Sequence, residues 1–327
     1  MAVTKLTSRE APHYEEYYGF QQSPFTLAPD PRFLYPSPSH EAAIGALLRS
    51  IRRREGMAVL SGDIGTGKTT VCRTVLEQLE MTLFTSLVLN PFLSAEELLR
   101  EILLDFGIVS REAVRSGRVA GATRHELVST LHEFLISLLP IGGSGVLIID
   151  EAQHLSPQVL EEIRVLSNLE TNQTKLLQIV LVGQLNLLDV LKQPDQRRLD
   201  QRISLRAVLR PLTRADVEAY VAHRLSVARG AEPAVFDATA IDAVHQVSGG
   251  VPRLINLVCD RTLMLGAALG ERTLTADVVH EAGRALGLAA PAPRATRWWQ
   301  RLPAWTPIAA TIFLLLAIAA WITRVWP

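Results

Sequence analysis

The stretch SGDIGTGKTT, residues 61–70, comes directly after the apolar run Met57-Ala58-Val59-Leu60. Within it, Gly62-Asp63-Ile64-Gly65-Thr66-Gly67-Lys68-Thr69 fits G-x-x-x-x-G-K-[ST] at every position. It stands between a strand-like run and a helix-like one, the context in which this pattern cradles phosphate. Glycines let successive backbone N–H groups turn inward around an anion, and the following helix N-terminus adds a favourable dipole. The ligand expected here is ATP. Lys68 would reach its β- and γ-phosphates, Thr69 would give its hydroxyl to Mg²⁺, and Thr70 would touch the α-phosphate. The competing reading is a glycine-rich turn without a ligand. The rest of the chain must therefore supply a metal carboxylate and a group that activates water.

Val146-Leu147-Ile148-Ile149-Asp150-Glu151 ends a buried strand in two carboxylates. Asp150 is the expected Mg²⁺ partner beside Thr69, and Glu151 the group that orients and deprotonates the attacking water. The alternative is a pair of exposed acids capping the next helix. At the end of another apolar run, Gln184 follows Gly183, placed to sense the γ-phosphate or hold the water. The loop Gln196-Arg197-Arg198-Leu199-Asp200-Gln201-Arg202 precedes a further strand. From it Arg202, with Arg198 in reserve, could reach a neighbouring subunit's γ-phosphate and offset transition-state charge. Gly249-Gly250-Val251-Pro252-Arg253 opens a helix. Proline suits that first turn. A cation there opposes the helix dipole, so Arg253 is read as facing back over the nucleotide.

Apolar runs at 57–60, 83–89, 146–149, 176–182 and 203–209 alternate with helical patterns at 69–79, 95–106, 126–139 and 159–169. Strands this apolar, alternating with helices, indicate an α/β fold with a parallel sheet covered on both faces. After Pro211 the patterns at 217–228, 238–247, 252–269 and 276–286 are helical, with no strand expected between them. The organisation that follows is an aromatic and proline-rich segment (1–40), an α/β nucleotide-binding domain (41–210), a helical domain (211–287), an Ala/Pro/Arg linker (288–304) and a C-terminal anchor (305–326). In the first segment, Tyr14, Tyr17, Tyr18, Phe20, Phe25, Phe33 and Tyr35 are interleaved with prolines. Proline excludes a long helix there. The segment is expected to be extended, and either to dock a partner or to pack along its own domain at the edge of the adenine pocket.

The chain has 327 residues and zero formal net charge, which gives no general reason to expect nucleic-acid binding. Cys72 and Cys259 lie in apolar helical patterns and read as reduced core residues. All five tryptophans fall in the last thirty residues, flanking or near the end of the uncharged run from Pro307 to Ile322. From Trp305 to Trp326 a helix would cover about 33 Å, enough for the ~30 Å hydrocarbon core, with aromatic residues at both interfaces. Arg294, Arg297 and Arg301 precede the run. The positive-inside bias then keeps the large domain in the cytoplasm, with the chain held by a single-pass tail anchor. No apolar leader is visible in the first forty residues.

The order GDIGTGKT, LIIDEAQ, LVGQ, LDQRI and SGGVPRLIN resembles the AAA+ ATPases of the general secretion pathway protein A group, which includes pilus-biogenesis and exosortase-associated polysaccharide-export relatives. The opening YYGFQQSPFTLAPDPRFLYPS and the run LEEIRVLSNLET are similar to that group as well. The resemblance implies a P-loop AAA+ parallel-sheet sandwich with a C-terminal helical lid, followed here by one transmembrane helix. It also implies ATP hydrolysis with Mg²⁺ and assembly into a homo-oligomeric ring or partial ring. It is consistent with Gly62 to Thr70, Asp150, Glu151, Gln184, Arg202 and Arg253 in the roles given above. Secretion members of the group continue past the membrane span into a periplasmic peptidoglycan-binding region. Here the chain stops at Pro327, which shifts the expectation toward export-locus relatives or an envelope partner that supplies the periplasmic part. The function expected is a membrane-anchored ATPase that drives or regulates assembly of an envelope secretion, pilus or polysaccharide export system. Two other readings stand beside it: a nucleic-acid-associated regulator of the transposition type, and a nucleotide-gated scaffold with little turnover. The first would need a concentrated basic face, for which only Arg52-Arg53-Arg54 and residues 111–118 offer material.

Overall fold

The structure is a computed structural model that describes residues 14–27, 30–33, 35–115, 121–228 and 235–288. The linker and the expected anchor, residues 289–327, lie outside the described residues. Among the described residues no helix is long and apolar enough to cross a membrane.

Strands β1 (Met57–Gly62), β2 (Leu83–Val88), β3 (Ser144–Ile149), β4 (Leu177–Gly183) and β5 (Ile203–Leu209) form one sheet in the order β2-β3-β4-β1-β5. Every pairing is parallel. The central strands β1, β3 and β4 are buried at every residue, while the edge strands β2 and β5 are partly exposed.

Side chains alternate across a strand, and the two faces bury different sets. Val59, Leu147, Ile149 and Leu181 pack under the helices Ala95–Asp105, Arg124–Ser137 and Pro157–Leu166. Ala58, Leu60, Val146, Ile148 and Val180 pack under Pro38–Arg52 and Lys68–Glu77. This two-sided burial is why the strands are apolar throughout. Local signals set several helix starts. Ser94 with Glu97, and Thr123 with Glu126, form complete capping boxes, each satisfying two orphan N–H groups.

Beyond β5 the helices Arg214–Ala228, Ala238–Ser248, Pro252–Leu269 and Ala276–Ala285 build a second core. The expectation of no strand in this half is corrected. Val235–Phe236 (β6) and Thr273–Leu274 (β7) pair in parallel, but two residues are too short to show a strand period. Cys72 and Cys259 are both free and buried.

The aromatic arm departs from the extended form expected. Tyr14–Tyr18 is a short helix and Pro31–Phe33 a 3₁₀ turn. Tyr14, Tyr18, Phe20 and Phe25 are buried in the core of the helical half, not against the sheet. Tyr14 Oη donates to Asp260 at 2.6 Å, Tyr18 Oη to the Glu271 carbonyl at 2.9 Å, and the Gln21 N–H to the Ala228 carbonyl at 3.0 Å.

Candidate functional site

The phosphate loop leaves the end of β1 and enters the helix Lys68–Glu77. Gly65 and Gly67 hold φ of 79° and 96°, a backbone region open to glycine at no steric cost. Both glycines also face close neighbours. A Cβ on Gly65 would lie 2.7 Å from the Arg253 Cβ, and one on Gly67 2.8 Å from His40 Nε2. Lys68 is 7 % exposed, and its ammonium donates to the carbonyls of Gly62 at 3.0 Å and Asp63 at 2.9 Å. Burial holds this lysine below its ordinary range, opposed by the carboxylates of Glu151, Asp150 and Asp63.

Asp150 is 4 % exposed at the end of β3. It accepts the Thr69 hydroxyl at 2.6 Å and the Glu151 N–H at 2.8 Å. These two hard oxygens, hydroxyl and carboxylate, touch each other at the mouth of the phosphate loop. Mg²⁺ keeps several waters and is held by one or two protein oxygens together with substrate phosphates, so this pair fits it. Among the described residues no group of three or more His, Cys, Asp or Glu forms a protein-only metal cage.

Glu151 lines the same cavity as Lys68, Thr69 and Thr70, a space of about 410 Å³ between the sheet and the helical half. Ile64 of the loop stands exposed at its rim. Arg253 also lines it, and its N–H donates to the Gly65 carbonyl at 3.2 Å. The Pro252–Leu269 helix thus docks its first turn on the phosphate loop. Gln184 sits at the end of β4 and is not among the cavity-lining residues; its N–H donates to Gln153 Oε1 at 3.0 Å.

Arg202 is placed elsewhere. Its guanidinium donates to Ser167 Oγ at 2.9 Å. It precedes Ile203, which pairs with Met57 at the start of β1. The phosphate loop leaves the other end of β1, about 17 Å away at ~3.3 Å per residue. Arg202 and the exposed Arg198 therefore face away from this chain's own cavity.

Several lining residues carry no motif. His40, 4 % exposed, holds the loop from behind. Its Nε2 lies 2.9 Å from the Thr66 carbonyl, so Nε2 carries the proton and Nδ1 accepts the Ser37 hydroxyl at 2.6 Å. Burial lowers its pKa, opposed by the bond to Thr66 and by Asp216. Arg224, 6 % exposed, donates to the carbonyls of Pro24 at 2.6 Å and Thr26 at 3.1 Å and to Tyr220 Oη at 3.0 Å. Its guanidinium sits 4.7 Å from the Phe33 ring centroid. Tyr220 in turn donates to Asn256 Oδ1 at 2.8 Å. Arg224, Tyr220, Asn256, Phe33 and Tyr35 all line the cavity. Tyr220 and Arg224 share a local spacing, four apart on one helix; the arm they hold is far off in sequence, with Pro24 200 residues from Arg224.

The family described as AAA domain matches residues 51–191. General secretion pathway protein A of Aeromonas hydrophila is 37% identical over 301 residues, covering 88% of this chain and 53% of that protein. ATP-dependent target DNA activator B of Escherichia phage D108 is 30% identical over 169 residues, covering 50% of this chain and 48% of that one. The chain thus spans about half the length of the curated relatives it matches. Among solved structures, Cdc6p from Pyrobaculum aerophilum superposes with a TM-score of 0.61 at 18% identity, covering 80% of this chain and 70% of that one; at that identity the likeness speaks to fold alone. The sheet order, the phosphate loop and the sequence likeness agree: residues 51–191 match an AAA domain, and the chain is similar to general secretion pathway protein A over most of its own length.

Proposed function

We propose that this chain binds ATP with Mg²⁺ and hydrolyses it, and that the cycle drives or regulates assembly of an envelope secretion, pilus or polysaccharide export machine. The carrying observation is the Thr69–Asp150 contact at 2.6 Å in the same cavity rim as Lys68 and Glu151. In this reading the loop from Gly62 to Thr70 wraps the phosphates, and the Lys68 ammonium exchanges its carbonyl partners for β- and γ-phosphate oxygens. Thr69 and Asp150 would hold Mg²⁺, which would supply positive charge against the phosphates. Glu151 orients the attacking water and takes its proton, and Gln184 holds the far side of the water or senses the γ-phosphate. Arg253, backed on the Gly65 carbonyl, links the phosphates to the helical half, which acts as a lid.

Arg202 serves a neighbouring subunit's site, because its own lies at the opposite end of the sheet. This requires a homo-oligomer, as a ring or partial ring. The tail at 305–326 holds the assembly at the inner membrane, with the ATPase domain in the cytoplasm. The likeness to general secretion pathway protein A supports the envelope role. The likeness to a phage target DNA activator supports the nucleic-acid reading, which a zero net charge does not favour.

The test is ATP turnover of the full chain over a concentration series, beside Glu151→Gln. Turnover per subunit should rise with concentration, and the variant should lose about 10²- to 10⁴-fold while still binding ATP. Tight binding with flat, negligible turnover in the unaltered chain would replace the engine with a nucleotide-gated scaffold.

A further inference from the structure

Glu151 has φ of 52°, and the only other non-glycine residue with positive φ among the described residues is Arg54. A left-handed backbone at a non-glycine residue brings its Cβ too close to the following carbonyl, so neighbouring contacts must hold it. Its N–H is held by Asp150. Its carboxylate is held by Gln153, two residues on, whose Nε2 donates to Glu151 Oε2 at 2.5 Å.

Gln153 is 9 % exposed, and the other half of its amide is also engaged, with Oε1 accepting the Gln184 N–H at 3.0 Å. The two partners fix the orientation of the amide without ambiguity. A backbone N–H demands the oxygen, and a carboxylate demands the nitrogen. The space for this bridge exists because residue 183 is glycine. A Cβ there would lie 2.6 Å from Gln153 Oε1 and 2.9 Å from Leu187 Cδ2. One side-chain amide therefore spans the ends of β3 and β4, with its donor on the proposed base and its acceptor on the backbone of the proposed sensor.

We propose that Gln153 is a positioning residue for ATP hydrolysis: it fixes the Glu151 carboxylate and couples it to the end of β4, so that movement of Gln184 on the γ-phosphate is transmitted to the base. The inference rests on the hydrolytic reading above. Glu151 has rotatable side-chain bonds, and a misplacement of about 1 Å at a reacting group can cost ~10²-fold in rate. A short bond to a buried amide removes that freedom.

Two substitutions in the full chain remove the bridge in part and in whole. Gln153→Glu keeps an oxygen for the Gln184 N–H and sets a carboxylate against Glu151. Gln153→Met keeps the length and makes neither bond. Gly183→Ala is a third route, since its methyl group would drive the amide out. The measurements are kcat and the dissociation constant of a fluorescent ATP analogue, the latter also reporting that the cavity is folded. All three variants should lose about 10- to 100-fold in kcat, with the dissociation constant within about twofold. Wild-type kcat in Gln153→Glu, or a kcat loss matched by an equal loss of binding, would overturn the positioning role alone. An unaltered chain with no turnover would overturn the hydrolytic reading and this role with it.

Discussion

The two walls of the cavity are built by opposite means. The sheet wall is local: Gly62 to Thr70 form one continuous loop, and Asp150, Glu151 and Gln153 lie within four residues of one another. The helical wall is assembled from the ends of the chain. Tyr14 meets Asp260 across 246 residues and Arg224 meets Pro24 across 200. Backbone conformation does the work in the first wall, through the left-handed glycines at 65 and 67. In the second wall, buried rings and one buried guanidinium tie a proline-rich arm onto a helix pair. Chemistry directed at phosphate can sit on a short motif because its parts are main-chain N–H groups and one helix end. A wall that closes over the rest of a ligand must bring side chains from separate elements together.

Substitutions in each wall should therefore fail differently. Lys68→Ala is expected to have the largest effect. It removes charge-assisted bonds to two phosphates, and ATP affinity should fall about 10³-fold, as read by titration with a fluorescent analogue. Undiminished affinity would break the assignment of the sheet wall.

Arg224→Met should act on folding first. It leaves the buried Pro24 carbonyl without the Arg224 donor and removes the guanidinium packed on Phe33, and an unsatisfied buried group costs about 1–3 kcal/mol. A stability loss of about 3 kcal/mol in urea unfolding is expected, together with weaker ATP binding, because Phe33 and Tyr35 lose their support. Arg224→Lys should not restore it, since one ammonium lacks the planar fork that serves three acceptors. Unaltered stability in Arg224→Met would show that the arm is held by its buried rings alone.

The smallest effect concerns His40, at the seam between the walls. Its folded pKa lies below the ordinary value of 6.5. Below that pH the unfolded chain takes up a proton that the folded chain resists, so stability falls as pH drops from about 6.5. The slope cannot exceed about 1.4 kcal/mol per pH unit for one group. His40→Gln should flatten this part of the profile of melting temperature against pH. An unchanged slope would place the acid sensitivity elsewhere.

Much of the fold was legible because its signals are periodic and repeated. Apolar runs of four to seven residues, separated by helical patterns, specify a buried parallel sheet, and the observed strands follow those runs. The aromatic arm was misread as extended because Tyr14–Tyr18 is too short for a helical period to register. β6 and β7 escaped for the same reason. Gln153 was within the quoted LIIDEAQ stretch, yet nothing in its spacing distinguishes a bridging amide from a helix-start polar residue. The left-handed φ of Glu151 that aims this turn is not encoded by any glycine or asparagine.

The sequence by itself determined the phosphate loop, the two acidic residues that end β3, and the alternation that makes the sheet. These depend on residues within a few positions of each other, where geometry follows directly from composition. Only the tertiary structure decided that Thr69 and Asp150 share a contact, that Gln153 joins two strand ends, that Arg202 lies at the far end of the sheet from its own cavity, and that the N-terminal arm belongs to the helical half. Each of those depends on which distant surfaces exclude water from one another, a choice made by packing across the whole chain and not by any short stretch of it.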